Sequence, residues 1–89
     1  MEFYSVEREV RVYPNPVDEY LVIEYTLSDD EVGEVKIENA TGIAIKRMPL
    51  QPHINKSVIS MVDVQSGMYL FTVTIDGEDV NHGKIMVIH

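Results

Sequence analysis

The sequence predicts an all-β domain, built as a two-sheet antiparallel sandwich of about seven strands. Apolar residues alternate with polar residues at a period of two in several segments, and turn-forming residues separate these segments every few positions. No long segment shows the 3.6-residue period of an amphipathic helix. A chain of 89 residues is long enough for one domain with a modest core.

The alternation is clearest at residues 20–27, 34–38 and 69–75. In the second of these segments Val35 and Ile37 point to one face and three charged residues point to the other, as a half-buried antiparallel strand requires. The same pattern predicts the inner-face residues of the other two strands, which are Leu21, Ile23, Tyr25, Tyr69, Phe71, Val73 and Ile75.

Four shorter strands complete the predicted sandwich, at residues 9–13, 43–48, 56–61 and 84–88. Pro49 and Pro52 are assigned to the loop before the third of them. Asp76 and Gly77 stand between two apolar segments and predict a type I′ hairpin turn, because that turn needs positive φ at both central residues.

The charge balance argues against several classes of partner. The chain carries 15 acidic and 7 basic residues, for a net charge of -8. This charge repels nucleic acid and anionic membrane surfaces, and it also suits a surface that simply keeps the domain soluble. The sequence has no cysteine, which excludes disulfides, thiolate metal ligands and a cysteine nucleophile.

No group of residues has the spacing of a catalytic, cofactor or metal site. The three histidines, His53, His82 and His89, are far apart, and none has a second ligand at the short spacing of a zinc site. The acidic segment 29–31 lacks the alternating ligands of a calcium loop and is interpreted as a solvated turn. Residues 39–41 match a glycosylation sequon and also suit an ordinary turn. We therefore expect a protein that is not an enzyme and has no cofactor.

One segment has unusual backbone chemistry. Pro14 and Pro16 flank Asn15, so that φ is restricted at two positions and two backbone donors are missing. Each proline also disfavours helix at the residue before it, which is Tyr13 or Asn15. The segment therefore predicts a rigid, extended corner that ends the first strand.

Several short motifs follow one another in a specific order: Val12-Tyr13-Pro14-Asn15-Pro16, Leu21-x-Ile23, Thr41-Gly42, Ser66-Gly67-x-Tyr69 and Lys84-Ile85-x-Val87. In this order, and in an acidic β-rich module, they resemble the C-terminal sorting domain of the type IX secretion system (Por secretion system) of Bacteroidetes. The resemblance runs from around Val12 to the end of the chain. Two positions depart from the family pattern, because the chain ends in His89 where a basic residue is frequent and has Ile43 after Gly42.

The resemblance implies a fold and a role. Family members are Ig-like β-sandwiches that direct an exported, N-terminal cargo domain through the periplasm to the outer-membrane surface or the medium. Their partners are the outer-membrane translocon and a sortase-like peptidase, which cleaves the domain and anchors the cargo. Residues 9–89 would form the sorting domain, and residues 1–8 would be a linker or a remnant of the cargo side. The implied recognition residues are Tyr13, Pro14, Asn15, Pro16, Gly67, Tyr69, Lys84, Ile85 and Val87.

Two of these motifs also have a physical interpretation. Gly67 can adopt a strained conformation before its strand, and Tyr69 can pack its ring while its hydroxyl finds a partner. If the terminal strand lies at a sheet edge, a receptor could pair with it by strand addition, and two isolated copies could pair in the same way. The alternative function is an Ig-like adhesion or carbohydrate-binding accessory module, which would require exposed aromatic residues in a chain without tryptophan.

Overall fold

A computed structural model describes residues 9–89 as seven β-strands. The strands are β1 (Arg11–Tyr13), β2 (Tyr20–Glu24), β3 (Gly33–Glu38), β4 (Ala44–Leu50), β5 (Lys56–Ser60), β6 (Gly67–Ile75) and β7 (Glu78–Val87). The linker predicted at residues 1–8 lies outside the described residues. Within the described part of the chain there is no helix that is long and apolar enough to cross a membrane.

The strands form two antiparallel sheets, which confirms the predicted all-β sandwich. One sheet has three strands in the order β1-β2-β5, and the other has four in the order β4-β3-β6-β7. The chain crosses between the sheets after β2, β4 and β5, so β2 pairs with β5 and β3 pairs with β6. This Greek-key arrangement is that of the Ig-like sandwiches.

The core lies between the two sheets and is made of the inner-face residues of both. Every inner-face residue predicted for β2, β3 and β6 is buried except Tyr69, which is half-buried against the core. Leu21, Ile23, Val35, Ile37 and Val73 have no exposed surface at all. The period-two pattern therefore predicted the two facing surfaces correctly, because side chains alternate strictly between the two faces of a strand.

The observed bounds of β4 and β2 differ from the predicted ones. β4 extends to Leu50 and includes Pro49, which lies opposite Glu34 of β3. A proline is tolerated there because β4 is an edge strand, where the missing N–H interrupts no second ladder. β2, by contrast, ends at Glu24, three residues before the predicted end, although Tyr25 and Leu27 continue into the core.

The hairpin between β6 and β7 has the predicted turn, but β7 begins at Glu78 and not at residue 84. Asp76 and Gly77 have φ values of 53° and 82°, so both central residues have the positive φ of a type I′ turn. The alternation fails in the first half of β7 because the register shifts near Val80. At Gly83 the Phe71 ring occupies the space in which a side chain would lie, and a Cβ there would be 2.9 Å from Phe71 Cε2.

Candidate recognition site

The proline segment carries the chain from one sheet to the other. Tyr13 is the last residue of β1 and pairs with Val22 of β2 in the three-stranded sheet. Four residues later, Val17 forms a parallel bridge with Val87 of β7 in the four-stranded sheet. Both intervening prolines follow cis peptide bonds. Since proline has no N–H, neither Pro14 nor Pro16 can extend a ladder, and the corner separates the two pairings.

Asn15 binds the edge of β7 with its side-chain amide. Its Nδ2 donates to the Lys84 carbonyl oxygen at 3.2 Å, and its Oδ1 accepts from the Met86 backbone N–H at 3.0 Å. Val17 continues the contact, since its N–H donates to the Met86 carbonyl at 2.8 Å and its carbonyl accepts from the Ile88 N–H at 2.9 Å. The Asn15 amide therefore acts as a substitute peptide group in a short parallel ladder.

The Gly67-x-Tyr69 motif reaches the same half of β7 from its other side. Gly67 pairs with Val87 and Tyr69 pairs with Ile85. Gly67 has a φ of 156°, which L side chains rarely adopt. The Tyr69 ring packs against the core, and its hydroxyl donates to the Gln65 carbonyl oxygen at 2.7 Å. The structure thus brings Asn15, Gly67 and Tyr69 together around the C-terminal half of β7.

The terminal motif divides between the two faces of β7. Ile85 and Val87 point into the core, with 1% and 0% of their surface exposed. Lys84, Met86 and Ile88 point outward. Most motif residues therefore build the sandwich, and the side chains they leave for contact are the outward ones between them. Met68 and Met86 occupy the unassigned positions of two motifs, and the same period-two pattern could have identified both.

Strand addition was expected at the edge of the terminal strand, and half of this edge is already hydrogen-bonded. β7 is the edge strand of the four-stranded sheet, as the expectation required. However, the outer carbonyls of Lys84 and Met86 and the outer N–H groups of Met86 and Ile88 already bond to Asn15 and Val17. A second strand could pair along this half of β7 only after the segment 15–17 was displaced.

Tyr13 lies on the outer surface of the three-stranded sheet and is 37% exposed. Its hydroxyl donates a hydrogen bond to the Glu24 carboxylate, and Lys56 Nζ lies 3.5 Å from the same carboxylate. The hydrogen bond from Tyr13 is the main reason that the pKa of Glu24 is lowered. Tyr13 therefore stands apart from Gly67, Tyr69 and β7, and it joins the site only through the corner that follows it.

The remaining candidates have local roles. Asn39 Oδ1 accepts from the backbone N–H groups of Thr41 and Ile43, each at 3.0 Å, which gives the sequon the geometry of a turn. Each histidine lies near one aspartate, and among residues 9–89 no cluster of three His, Asp or Glu side chains could hold a metal ion. His89 is the least exposed of the three, at 32% of its side chain.

His89 is held against the loop between β5 and β6 and against the segment after the proline corner. Its Nε2 lies 2.6 Å from the Val64 carbonyl oxygen, and its Nδ1 lies 3.4 Å from the Asp18 carboxylate. The contact with the Val64 carbonyl, followed by that with Asp18, raises the pKa of His89 above its usual value despite partial burial. Both acceptors favour the doubly protonated, cationic ring.

The His89 contacts predict a stability that depends on pH. Because the folded pKa is raised, the stabilisation is complete below the pKa of the unfolded chain and is lost as pH rises through the folded pKa. We expect the free energy of unfolding of wild type to exceed that of His89→Gln by more at about pH 5.5 than at about pH 8.5. Urea titrations at both values test this. Asp18→Asn should reduce the difference, and an equal gap at both pH values would contradict the prediction.

The Asn15 contact predicts a local loosening of the β7 edge. Asn15→Ala removes both hydrogen bonds to β7 and should destabilise the domain by about 1–2 kcal/mol. Amide hydrogen exchange should accelerate most at Met86, because its N–H loses its acceptor. Asn55→Ala is the matched control, since Asn55 is exposed and its side chain makes no hydrogen bond with any of residues 9–89. Unchanged exchange at Met86 would show that Asn15 does not hold the edge.

The sequence matches a known family over almost its whole length. The model of the secretion system C-terminal sorting domain family, the sorting domain of the type IX system, matches residues 11–88. The chain belongs to this family. The match begins at the first residue of β1 and ends one residue after β7, so that it covers all seven described strands. A search of the curated proteins finds no match to the chain.

Membership of this family defines the role at a coarse level. The domain is a C-terminal sorting signal for type IX secretion, and the protein that carries it is exported to the cell surface or the medium. Such a role implies contact with the secretion machinery and a cargo on the N-terminal side.

Proposed function

We propose that the domain acts as an address, read by the outer-membrane translocon after its cargo has crossed the periplasm. The observation that supports this best is the convergence of three motifs on one half of β7 in a chain that belongs to the sorting-domain family. Asn15 holds this half of β7 in one conformation through hydrogen bonds to Lys84 and Met86, which lie 69 and 71 positions away in the sequence. A rigid surface can be recognised without paying the ordering entropy that a flexible tail would require.

The domain catalyses nothing in this proposal and needs no cofactor. A sortase-like peptidase cleaves the chain on the N-terminal side of β1 and joins the cargo to the outer-membrane surface. β1 is the first strand of the described residues, and the proposal places the cut before Arg11 so that all seven described strands stay together. Cleavage there separates cargo and signal while the sandwich stays intact.

A transplant tests the proposal. Residues 1–89 are fused to the C-terminus of a fluorescent protein that carries an N-terminal export signal, and the fusion is expressed in a bacterium with a type IX system. We expect fluorescence at the cell surface or in the medium, and none there in a strain that lacks the translocon. Fluorescence trapped in the periplasm, while a sorting domain from a known substrate is secreted, would contradict the proposal and favour an accessory binding module.

Cleavage has its own readout in the same strains. The secreted fluorescent protein should lack residues 11–89, which mass spectrometry of the released cargo would reveal. In a strain without the peptidase the fusion should keep its sandwich. Secreted cargo of full length in both strains would contradict the cleavage step and leave the sorting role standing.

A further inference from the structure

Four apolar side chains form an exposed patch on the outer face of β6 and the end of β7. Met68 lies directly opposite Met86, and Leu70 lies directly opposite Lys84. Met68, Leu70 and Met86 are 46%, 39% and 37% exposed, and Ile88, which follows on the same face, is 51% exposed. We call Met68, Leu70, Met86 and Ile88 the methionine patch. Exposed apolar residues that adjoin one another are typical of contact surfaces.

Lys84 borders the methionine patch and has no acidic partner among residues 9–89. Five other basic side chains in residues 9–89 each lie within 4.0 Å of a carboxylate: Arg11, Lys36, Lys46, Arg47 and Lys56. Within that part of the chain Lys84 alone lies near none, although acidic residues outnumber basic ones by 15 to 7 in the sequence. Glu38 lies in the same cross-strand row as Lys84, with Leu70 between them. The Glu38 carboxylate is paired with Lys36 Nζ at 3.8 Å. Lys84 is therefore an exposed positive charge available to a carboxylate from outside.

We infer that the methionine patch and Lys84 dock the domain on a protein receptor of the secretion machinery, whose contact surface is apolar and places a carboxylate against Lys84. This inference rests on the proposed function and names the surface that is read. Methionine side chains are flexible and polarizable, and they adapt to surfaces of different shape. A lysine at the border gives the contact its orientation through charge complementarity.

Three observations favour this occupant over others. The outer edge of the same half of β7 is already hydrogen-bonded to Asn15 and Val17, so the free surface is the face of the sheet. Four partly exposed side chains offer far less than the roughly 800 Å² per partner of a stable dimer, which disfavours a second copy. An anionic lipid or polysaccharide surface would be repelled by the net charge of -8, which one exposed lysine does not offset.

The test introduces point variants into the fluorescent fusion. Met68→Ser combined with Met86→Ser removes half of the patch, and Lys84→Glu reverses the charge. Secretion should fall about tenfold or more in each, the loss expected for central contact residues, whereas Lys84→Arg should be secreted like wild type. The matched controls are Val58→Ser, an exposed apolar residue on the other sheet, and Arg47→Glu, the same charge change on the same sheet. Both controls should be secreted normally.

Folding and self-association are measured on the purified chain of residues 1–89. Each variant should keep a midpoint of thermal unfolding close to wild type, because the replaced side chains are exposed. Patch variants that fold and are secreted like wild type would overturn the inference and leave the proposed function intact. A wild-type fusion that is not secreted would overturn the proposed function itself. A dimer of the wild-type chain in sedimentation, absent in the double serine variant, would also overturn the docking inference, since a second copy of the chain would then cover the patch.

Discussion

Replacing Ile85 by Ala is expected to lower the free energy of unfolding by about 2–4 kcal/mol. Ile85 is only 1% exposed, pairs with Tyr69 and lies in the core between the sheets, so the lost methyl groups leave a cavity. The stability of a small domain is about 5–15 kcal/mol, and this one substitution would remove a large part of it. Urea denaturation of the purified chain measures the change.

Met86→Ala is the matched control, one residue further along the same strand. Met86 is 37% exposed on the outer face, and its truncation should cost less than about 1 kcal/mol. In the secretion assay both variants should be impaired for different reasons, because Ile85→Ala loses a large part of its stability and Met86→Ala loses part of the methionine patch. Equal stability losses in the two variants would contradict the assignment of opposite faces.

Deletion of residues 84–89 is expected to abolish cooperative unfolding, which is the largest effect that the structure predicts. The deletion removes Ile85 and Val87 from the core, each worth about 1.5–3 kcal/mol of buried surface. It also leaves Asn15 and Val17 without their partners on β7. Together these losses approach the whole stability of a small domain. Far-UV circular dichroism during thermal unfolding would show a broad, non-cooperative change in place of a single transition.

The control for the deletion keeps the length of the chain and the inward residues. Lys84, Met86 and Ile88 are replaced by alanine together, which alters only the outward face of the same segment. This triple variant should unfold in one cooperative transition and should still fail to be secreted. A cooperative transition in the deletion variant would show that the end of β7 contributes little to the core. Loss of secretion on deletion alone cannot separate recognition from unfolding, and the triple variant separates them.

The predictable parts of the fold are those set by neighbours in sequence. Val35, Ile37 and Val73 were placed in the core because alternation over a few residues determines which face each side chain occupies. The turn at Asp76 and Gly77 was predictable because positive φ is a local requirement. The alternation does not predict a strand at residues 78–83 because a register shift and the Phe71–Gly83 contact break the pattern, and both depend on the partner strand.

The motif residues can be identified from the sequence, but their arrangement in space cannot. Residues close together in the chain are enough to predict the strand faces, the proline corner at Pro14 and Pro16, and the order of motifs that identifies the family. The contact of Asn15 with Met86, 71 positions away, follows from the packing of the two sheets, and through it Asn15 occupies the edge of β7. The same packing leaves Lys84 without an acidic partner among residues 9–89, because ion pairs form between side chains that the pairing of distant strands brings together. Strand faces and turns depend on a few neighbouring residues and can be predicted from the sequence. Sheet edges, strand pairing and ion pairs depend on which strands the fold places side by side.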